Sequence, residues 1–126
     1  MGKNSNHIIL SGKFARILWA GVTTARGGLT VPVVEGLVDT DLPALGGRHH
    51  CVFYGRQALK VRAYQQAAAG LLDVKVDGWL RSDGQVRVVA DQVSFYCDEA
   101  TRKRANAMLA EWKAAAPAAA QGPVGG

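Results

Sequence analysis

Apolar and polar residues alternate along several stretches of the chain, which is the period-two pattern of a half-buried β-strand. The segment VKVDGWLRSDGQVRVVADQVSFY shows this pattern twice, on either side of a Ser-Asp-Gly turn. It predicts an antiparallel hairpin of two strands, over 72–81 and 86–96. Trp79, Arg81 and Arg87 fall on the face opposite the aliphatic residues, a position that core formation does not explain.

The same alternation predicts three earlier strands, over 8–19, 29–38 and 49–54. Gly12 interrupts the first of them, as glycine does at a bend or where two backbones approach closely. Pro32 lies in the second strand and cannot donate a hydrogen bond to a neighbouring strand. We therefore expect this part of the second strand to be an edge or a bulge.

Two segments show helical periodicity. Residues 57–69 are rich in good helix formers and precede Gly70, a predicted C-terminal cap. After Asp98, a predicted N-cap, apolar residues at positions i, i+3, i+4 and i+7 predict a helix over 98–115. This apolar stripe consists of Ala105, Met108, Leu109 and Trp112. Residues 116–126 contain neither charges nor aromatic rings, so we expect a disordered Ala/Pro/Gly tail.

The predicted order β-β-β-α-β-β, followed by a helix, indicates an all-β protein with a five-stranded OB-fold barrel. This fold is a Greek-key barrel that binds oligonucleotides. A helix of this length between the third and fourth strands argues against an SH3-like barrel. We divide the chain into an OB-fold domain over 1–97, the C-terminal helix over 98–115 and the tail.

Size and charge restrict the classes of function. The 126 residues, 48% of them hydrophobic, suffice for one domain with a core. The net charge is +5, and residues 1–97 hold 11 Lys and Arg against 7 Asp and Glu, an excess of +4. Such an excess on the folded part favours a polyanionic partner. Because we find neither a signal peptide nor an apolar run of about 18 residues, we expect a cytoplasmic protein with no membrane partner.

The sequence offers no catalytic or metal-binding pattern. It has no Ser-His-acid set in a supporting context, no glycine-rich phosphate loop and no metal-ligand spacing. His49, His50 and Cys51 are adjacent, but on a strand only His49 and Cys51 would share a face. Cys51 and the distant Cys97 both fall in strand-like runs, where cysteine acts as a small apolar residue. We expect no enzymatic activity, no metal and no cofactor.

Three segments in succession resemble bacterial single-stranded-DNA-binding proteins. NHIILSGKF resembles their first strand, HHCVFYGRQALKVRAY their third strand and helix, and the hairpin segment quoted above their last two strands. The resemblance covers residues 6–96 with gaps, and primosomal replication proteins share the same barrel and hairpin. It implies an OB-fold protein that binds single-stranded DNA without sequence specificity, in replication, recombination, repair or mobile-element transfer.

The chain also departs from the family's pattern. The usual tryptophan of strand two is absent, Arg48 stands where a second tryptophan is common, and Ala69-Gly70 replaces a Lys-Gly step. The family's acidic, Phe-tipped C-terminal peptide, which recruits other enzymes, has no counterpart in GPVGG. These departures suggest a divergent, mobile-element or accessory protein without that docking function.

Binding a single strand without reading its sequence requires planar rings that stack on bases and cations that contact phosphates. Tyr54 stands where the family carries a base-stacking aromatic residue. Trp79 and Trp19 are the other candidate rings, whereas Phe14 and Phe53 are assigned to the core. The candidate cations lie on strands or at their ends, and they are Lys13, Arg16, Arg48, Arg56, Lys75, Arg81 and Arg87.

Other functions stay open at this point. One is a protein-interaction or oligomerisation module of a primosome-like replication complex or a conjugation complex. Another is a structural barrel that assembles with Trp79 and Trp112 between subunits. The resemblance also implies a homo-oligomer of two or four subunits, and the nucleic acid could be RNA instead of DNA.

Overall fold

The computed structural model describes residues 7–24, 26–40, 47–82 and 84–120. In chain order the elements are β1 (His7–Thr24), β2 (Thr30–Thr40), β3 (Gly47–Tyr54), α1 (Arg56–Ala67), β4 (Leu72–Ser82), β5 (Val86–Tyr96) and α2 (Glu99–Ala120). A short 3₁₀ turn at Arg26–Gly28 lies between β1 and β2.

The five strands close into a barrel in the order β1-β2-β3-β5-β4. Closure depends on the long β1, whose residues from His7 to Phe14 pair with β4 while those from Gly12 to Thr24 pair with β2. At Gly12, which serves both pairings, a side chain would collide with the backbone of Asp39. The close approach expected there is therefore confirmed. A parallel β3–β5 pairing completes the barrel, and α1 lies between β3 and β4 in the chain. This arrangement confirms the predicted OB-fold.

Aromatic rings and valines fill the barrel. Phe14 and Phe53 are fully buried, as predicted, and the Phe14 ring also lies edge-on to Phe95, with centroids 6.2 Å apart. Cys51 lies in the same core, and burial raises the pKa of its thiol to about 12. The interpretation of Cys51 as a small apolar residue is confirmed.

Helix α1 is attached to β5 by two polar side chains. Gln57 Oε1 accepts a hydrogen bond from the backbone N–H of Val93 (2.8 Å), and Lys60 Nζ donates to the Val93 carbonyl (2.6 Å). Partial burial lowers the pKa of Lys60, and the positive charge of Arg102 lowers it further. These bonds satisfy polar backbone groups of β5 at the point where the helix crosses it.

Helix α2 packs against α1 and the end of β5. The Asp98 carboxylate accepts a hydrogen bond from the Thr101 N–H (2.9 Å), which confirms the predicted N-cap. Arg102 donates to the Tyr64 hydroxyl and to the Phe95 carbonyl, at 3.3 and 3.2 Å. The apolar stripe that predicted the helix faces the core, so α2 is docked mainly on α1.

Several boundaries differ from the predictions. β1 continues past Trp19 to Thr24 because its second half pairs with β2. Its two register shifts lie between Phe14 and Arg16 and between Ile17 and Trp19, so no bulge of the β1–β2 pair is at Pro32. Pro32 instead lies one residue beyond the last β2–β3 pair, where its missing N–H leaves no gap in that ladder.

The C-terminal helix also differs from its predicted bounds of 98–115. It extends to Ala120 through a segment of six alanines, which have the highest intrinsic helix propensity, and Pro117. The rest of the predicted disordered tail, residues 121–126, lies outside the described residues.

Candidate nucleic-acid interface

Register positions on the five strands place five outward-facing residues in one lateral row across the barrel. Trp19 on β1 pairs with Glu35 on β2, Glu35 with Val52 on β3, Val52 with Val89 on β5, and Val89 with Trp79 on β4. We call this the tryptophan row. Neighbouring strands are about 4.8 Å apart, so the backbones of Trp19 and Trp79 are about 19 Å apart when measured around the barrel through β2, β3 and β5. Val52 and Val89 are buried and give the row an apolar floor.

A second row lies beside the first, two residues away along the central strands. Arg16 on β1 pairs with Leu37 on β2, and Leu37 pairs with His50 on β3. The parallel β3–β5 register places His50 beside Arg87, which pairs with Arg81 on β4. We call these five residues the arginine row. Three of the predicted cations therefore lie next to the two predicted tryptophans.

Tyr54 lies on the other side of the tryptophan row. It follows Val52 by two residues on β3 and pairs with Val33 on β2, which in turn pairs with Gly21 on β1. Tyr54 is partly buried at the end of its strand. The predicted stacking residues thus lie on the same outer surface as the arginine row.

The Trp19 ring folds along β1 towards Gly21. A Cβ atom added to Gly21 would lie 2.7 Å from the indole, so this conformation requires glycine there. Trp19 as a residue remains 48% exposed, and Trp79 is 38% exposed. Both indoles therefore have surface available for a planar ligand.

Arg81 and Arg87 stand directly opposite each other in the β4–β5 hairpin. Like charges at such a position destabilise a sheet. The Arg87 Nε atom is buried and has no hydrogen-bond partner within the described part of the chain. A bound anion would satisfy this group.

Two of the predicted cations are held by carboxylates. Lys13 Nζ lies 2.5 Å from Asp73, and Arg48 Nε donates to Asp39 at 2.7 Å. The bond from Arg48 lowers the pKa of Asp39. Each ion pair already compensates its cation, so Lys13 and Arg48 are weaker candidates for phosphate contacts.

The other two predicted cations lie apart from the arginine row. Lys75 is four residues from Trp79 on β4, in register with Ser11 and Ser94. Arg56 is the exposed first residue of α1, two positions after Tyr54. Of these two, only Arg56 adjoins a candidate ring.

Sequence reasoning missed the polar centre of this surface. Glu35 Oε1 lies 2.7 Å from His50 Nε2, and both side chains are about one quarter exposed. The signal for Glu35 was its place as the single charged residue within the apolar run VPVVEGLV. Its contact with His50 could not be predicted, because alternation along β2 and β3 does not determine which residues of the two strands pair.

Within the part of the chain that the structure describes, no group of three or more His, Cys, Asp or Glu side chains could hold a metal ion. No helix in that part is long and apolar enough to cross a membrane.

No protein-family model matches the chain, and no curated protein does either. Solved structures do match. The SSB domain of a Synechococcus sp. protein has a TM-score of 0.53 at 21% identity, covering 74% of this chain and 98% of that one. The chain has the fold of an SSB domain.

Two further structures agree with this fold. PriB from Ralstonia solanacearum has a TM-score of 0.53 at 13% identity, over 74% of this chain and 100% of PriB. The mitochondrial single-stranded DNA binding protein Rim1 from S. cerevisiae has a TM-score of 0.52 at 5% identity, over 76% and 99%. The OB-fold barrel is therefore common to all of them despite little sequence identity.

Proposed function

We propose that this chain binds single-stranded DNA without sequence specificity on the outer surface formed by the tryptophan row, the arginine row and Tyr54. Bases stack on the exposed indoles and the tyrosine ring, each worth about 1–3 kcal/mol. Phosphates contact the guanidinium groups and release counterions. Every base has a flat face and every nucleotide a phosphate, so this surface does not depend on one particular sequence.

The observation that carries the proposal is the position of Arg81 and Arg87 beside Trp79. A sheet that only encloses a core gains nothing from two arginines in register, and the buried Nε of Arg87 lacks a partner within the described residues. A phosphate would accept a hydrogen bond from the Arg87 Nε, and the neighbouring indole supplies a stacking surface. The three groups together fit a nucleotide better than they fit an isolated anion.

The fold shared with SSB domains and PriB supports a role in replication, recombination, repair or mobile-element transfer. The same likeness supports a protein that holds nucleic acid without changing it chemically. Self-association into a dimer or tetramer belongs to the proposal too, because a single barrel of this size offers only a short path for a strand.

A titration with oligo-dT at two salt concentrations tests the proposal. Stacking on Trp19 and Trp79 should quench their fluorescence, and the affinity should fall steeply as salt rises. Trp112 is the remaining tryptophan and lies against Arg62 on α1, so a Trp112→Phe variant isolates the signal from the two surface indoles. Absence of quenching and of salt-dependent binding would refute the proposal.

A specific observation also favours a protein-interaction surface as a second candidate. Leu18 and Val22 on β1 and Leu29 before β2 are 43%, 62% and 54% exposed, although they are large apolar residues. They lie along the β1–β2 hairpin, where a partner protein or a second copy of the chain could cover them. If Val22→Ser and Leu29→Ser leave the molar mass measured by light scattering unchanged, self-association through this hairpin is excluded.

A further inference from the structure

We infer that Glu35 makes this surface discriminate among bases, so that a base with an amino group on its Watson–Crick edge, above all guanine, binds more tightly than thymine. The inference rests on the proposed function and adds a preference to it. It follows from the place of one carboxylate in the tryptophan row.

Glu35 lies in the path between the two indoles. It is in register with Trp19 on one side and with Val52 on the other. His50 Nε2 lies 2.7 Å from its Oε1, and because a carboxylate only accepts, the imidazole donates. This bond fixes the orientation of the carboxylate on β2. About a quarter of the side chain remains exposed, so a ligand can reach it.

A carboxylate at this position repels phosphates, which must therefore lie elsewhere. The arginine row offers them a place two residues away along β2, β3, β4 and β5, about 7 Å from the tryptophan row. If phosphates follow Arg16, Arg87 and Arg81, the bases extend over the tryptophan row. Glu35 then meets the edges of the bases, because the backbone lies beyond its reach.

The chemistry of base edges decides which base the carboxylate favours. An ionised carboxylate can accept about four hydrogen bonds, and His50 uses one of these positions. Guanine presents its N1–H and its N2 amino group side by side, which matches the two carboxylate oxygens. Cytosine presents one amino group at N4, a contact that Glu makes in protein–DNA complexes. Thymine has only N3–H, between two carbonyls that a carboxylate repels.

The test uses a dT oligonucleotide of about 16 nucleotides, near the upper site size of one OB-fold. One central nucleotide is dT, dC, dG or deoxyinosine, which retains the guanine N1–H but lacks the amino group. We expect the dG oligonucleotide to bind about five- to tenfold more tightly than all-dT, towards the lower end of the discrimination that one bidentate contact gives. Deoxyinosine should bind less tightly than dG.

The variant Glu35→Gln removes the charge and one acceptor while its remaining oxygen can still accept from His50. It should reduce the dG-to-dT ratio to about one, whereas the matched control Glu111→Gln, an exposed residue on α2, should leave the ratio unchanged. Equal affinities of the wild-type protein for all four oligonucleotides would overturn the inference and leave the proposed function standing. This comparison does not depend on whether any variant folds. A dG preference that persists in Glu35→Gln would also overturn the inference. Absence of binding to every oligonucleotide would instead refute the proposed function itself.

Discussion

Replacing Arg81 and Arg87 together by glutamine is the most direct test of phosphate binding on this surface. Glutamine keeps a polar side chain of similar shape but carries no charge. In the folded protein the two guanidinium groups oppose each other across the β4–β5 pair. The substitutions leave the backbone pairing of β4 and β5 in place, so we expect the fold to persist while binding weakens.

The expected size of the effect follows from counterion release. Each phosphate neutralised on a single strand contributes about 0.7 to the slope of log K against log salt, so two arginines contribute about 1.4. The double variant should therefore lose about 25-fold in affinity for oligo-dT near 0.1 M salt. Between about 0.05 and 0.2 M salt, the wild-type affinity should fall about sevenfold more than that of the variant.

Fluorescence titrations at four salt concentrations measure both slopes, and thermal melts followed by circular dichroism compare the stabilities. Lys103→Gln/Lys113→Gln is the matched control, because these exposed α2 residues carry the same total charge on a different element. If the control flattens the slope as much as the arginine variant does, net charge and not local phosphate contact governs binding. An unchanged slope in the arginine variant refutes the reasoning outright.

Three other changes test the site and its support. Tyr54→Ala or Trp79→Ala should weaken oligo-dT binding by about 1–3 kcal/mol with the fold intact, and unchanged affinity for both would remove the stacking mechanism. Arg102→Ala should lower the free energy of unfolding by about 1–3 kcal/mol in urea denaturation, because the Phe95 carbonyl loses its donor, while neighbouring Lys103→Ala should have little effect. Hydrogen bonds from Thr101 lower the pKa of Asp98, so this carboxylate stabilises the fold above its unfolded-state pKa, and that stabilisation is lost as pH falls through the folded pKa. Asp98→Ala should therefore lower the melting temperature at neutral pH. The difference in melting temperature between the wild type and the variant should shrink below about pH 4. A difference that stayed constant at low pH would contradict the capping role.

Local alternation was enough to predict most of the strands. β5 has the predicted bounds, and β4 exceeds its prediction by one residue, because the hairpin pairs neighbours in the chain. The second half of β1 was missed for a physical reason. Its register shifts interrupt the period of two, and from Leu18 to Thr24 every residue is exposed, so no apolar face marks that segment as a strand.

The same distinction between local and distant pairing decides how much of the site the sequence reveals. Arg81 and Arg87 could be placed together because one tight turn separates them. Their relation to Arg16 and Trp19 depends on the parallel β3–β5 register, which closure of the whole barrel sets. Composition predicts less of the site than the register does. A net charge of +5 favours a polyanionic partner, but it does not reveal that the Glu35 carboxylate lies between the two tryptophans in the row. Charge can therefore attract a strand to this surface, whereas the register determines which part of a nucleotide meets Glu35.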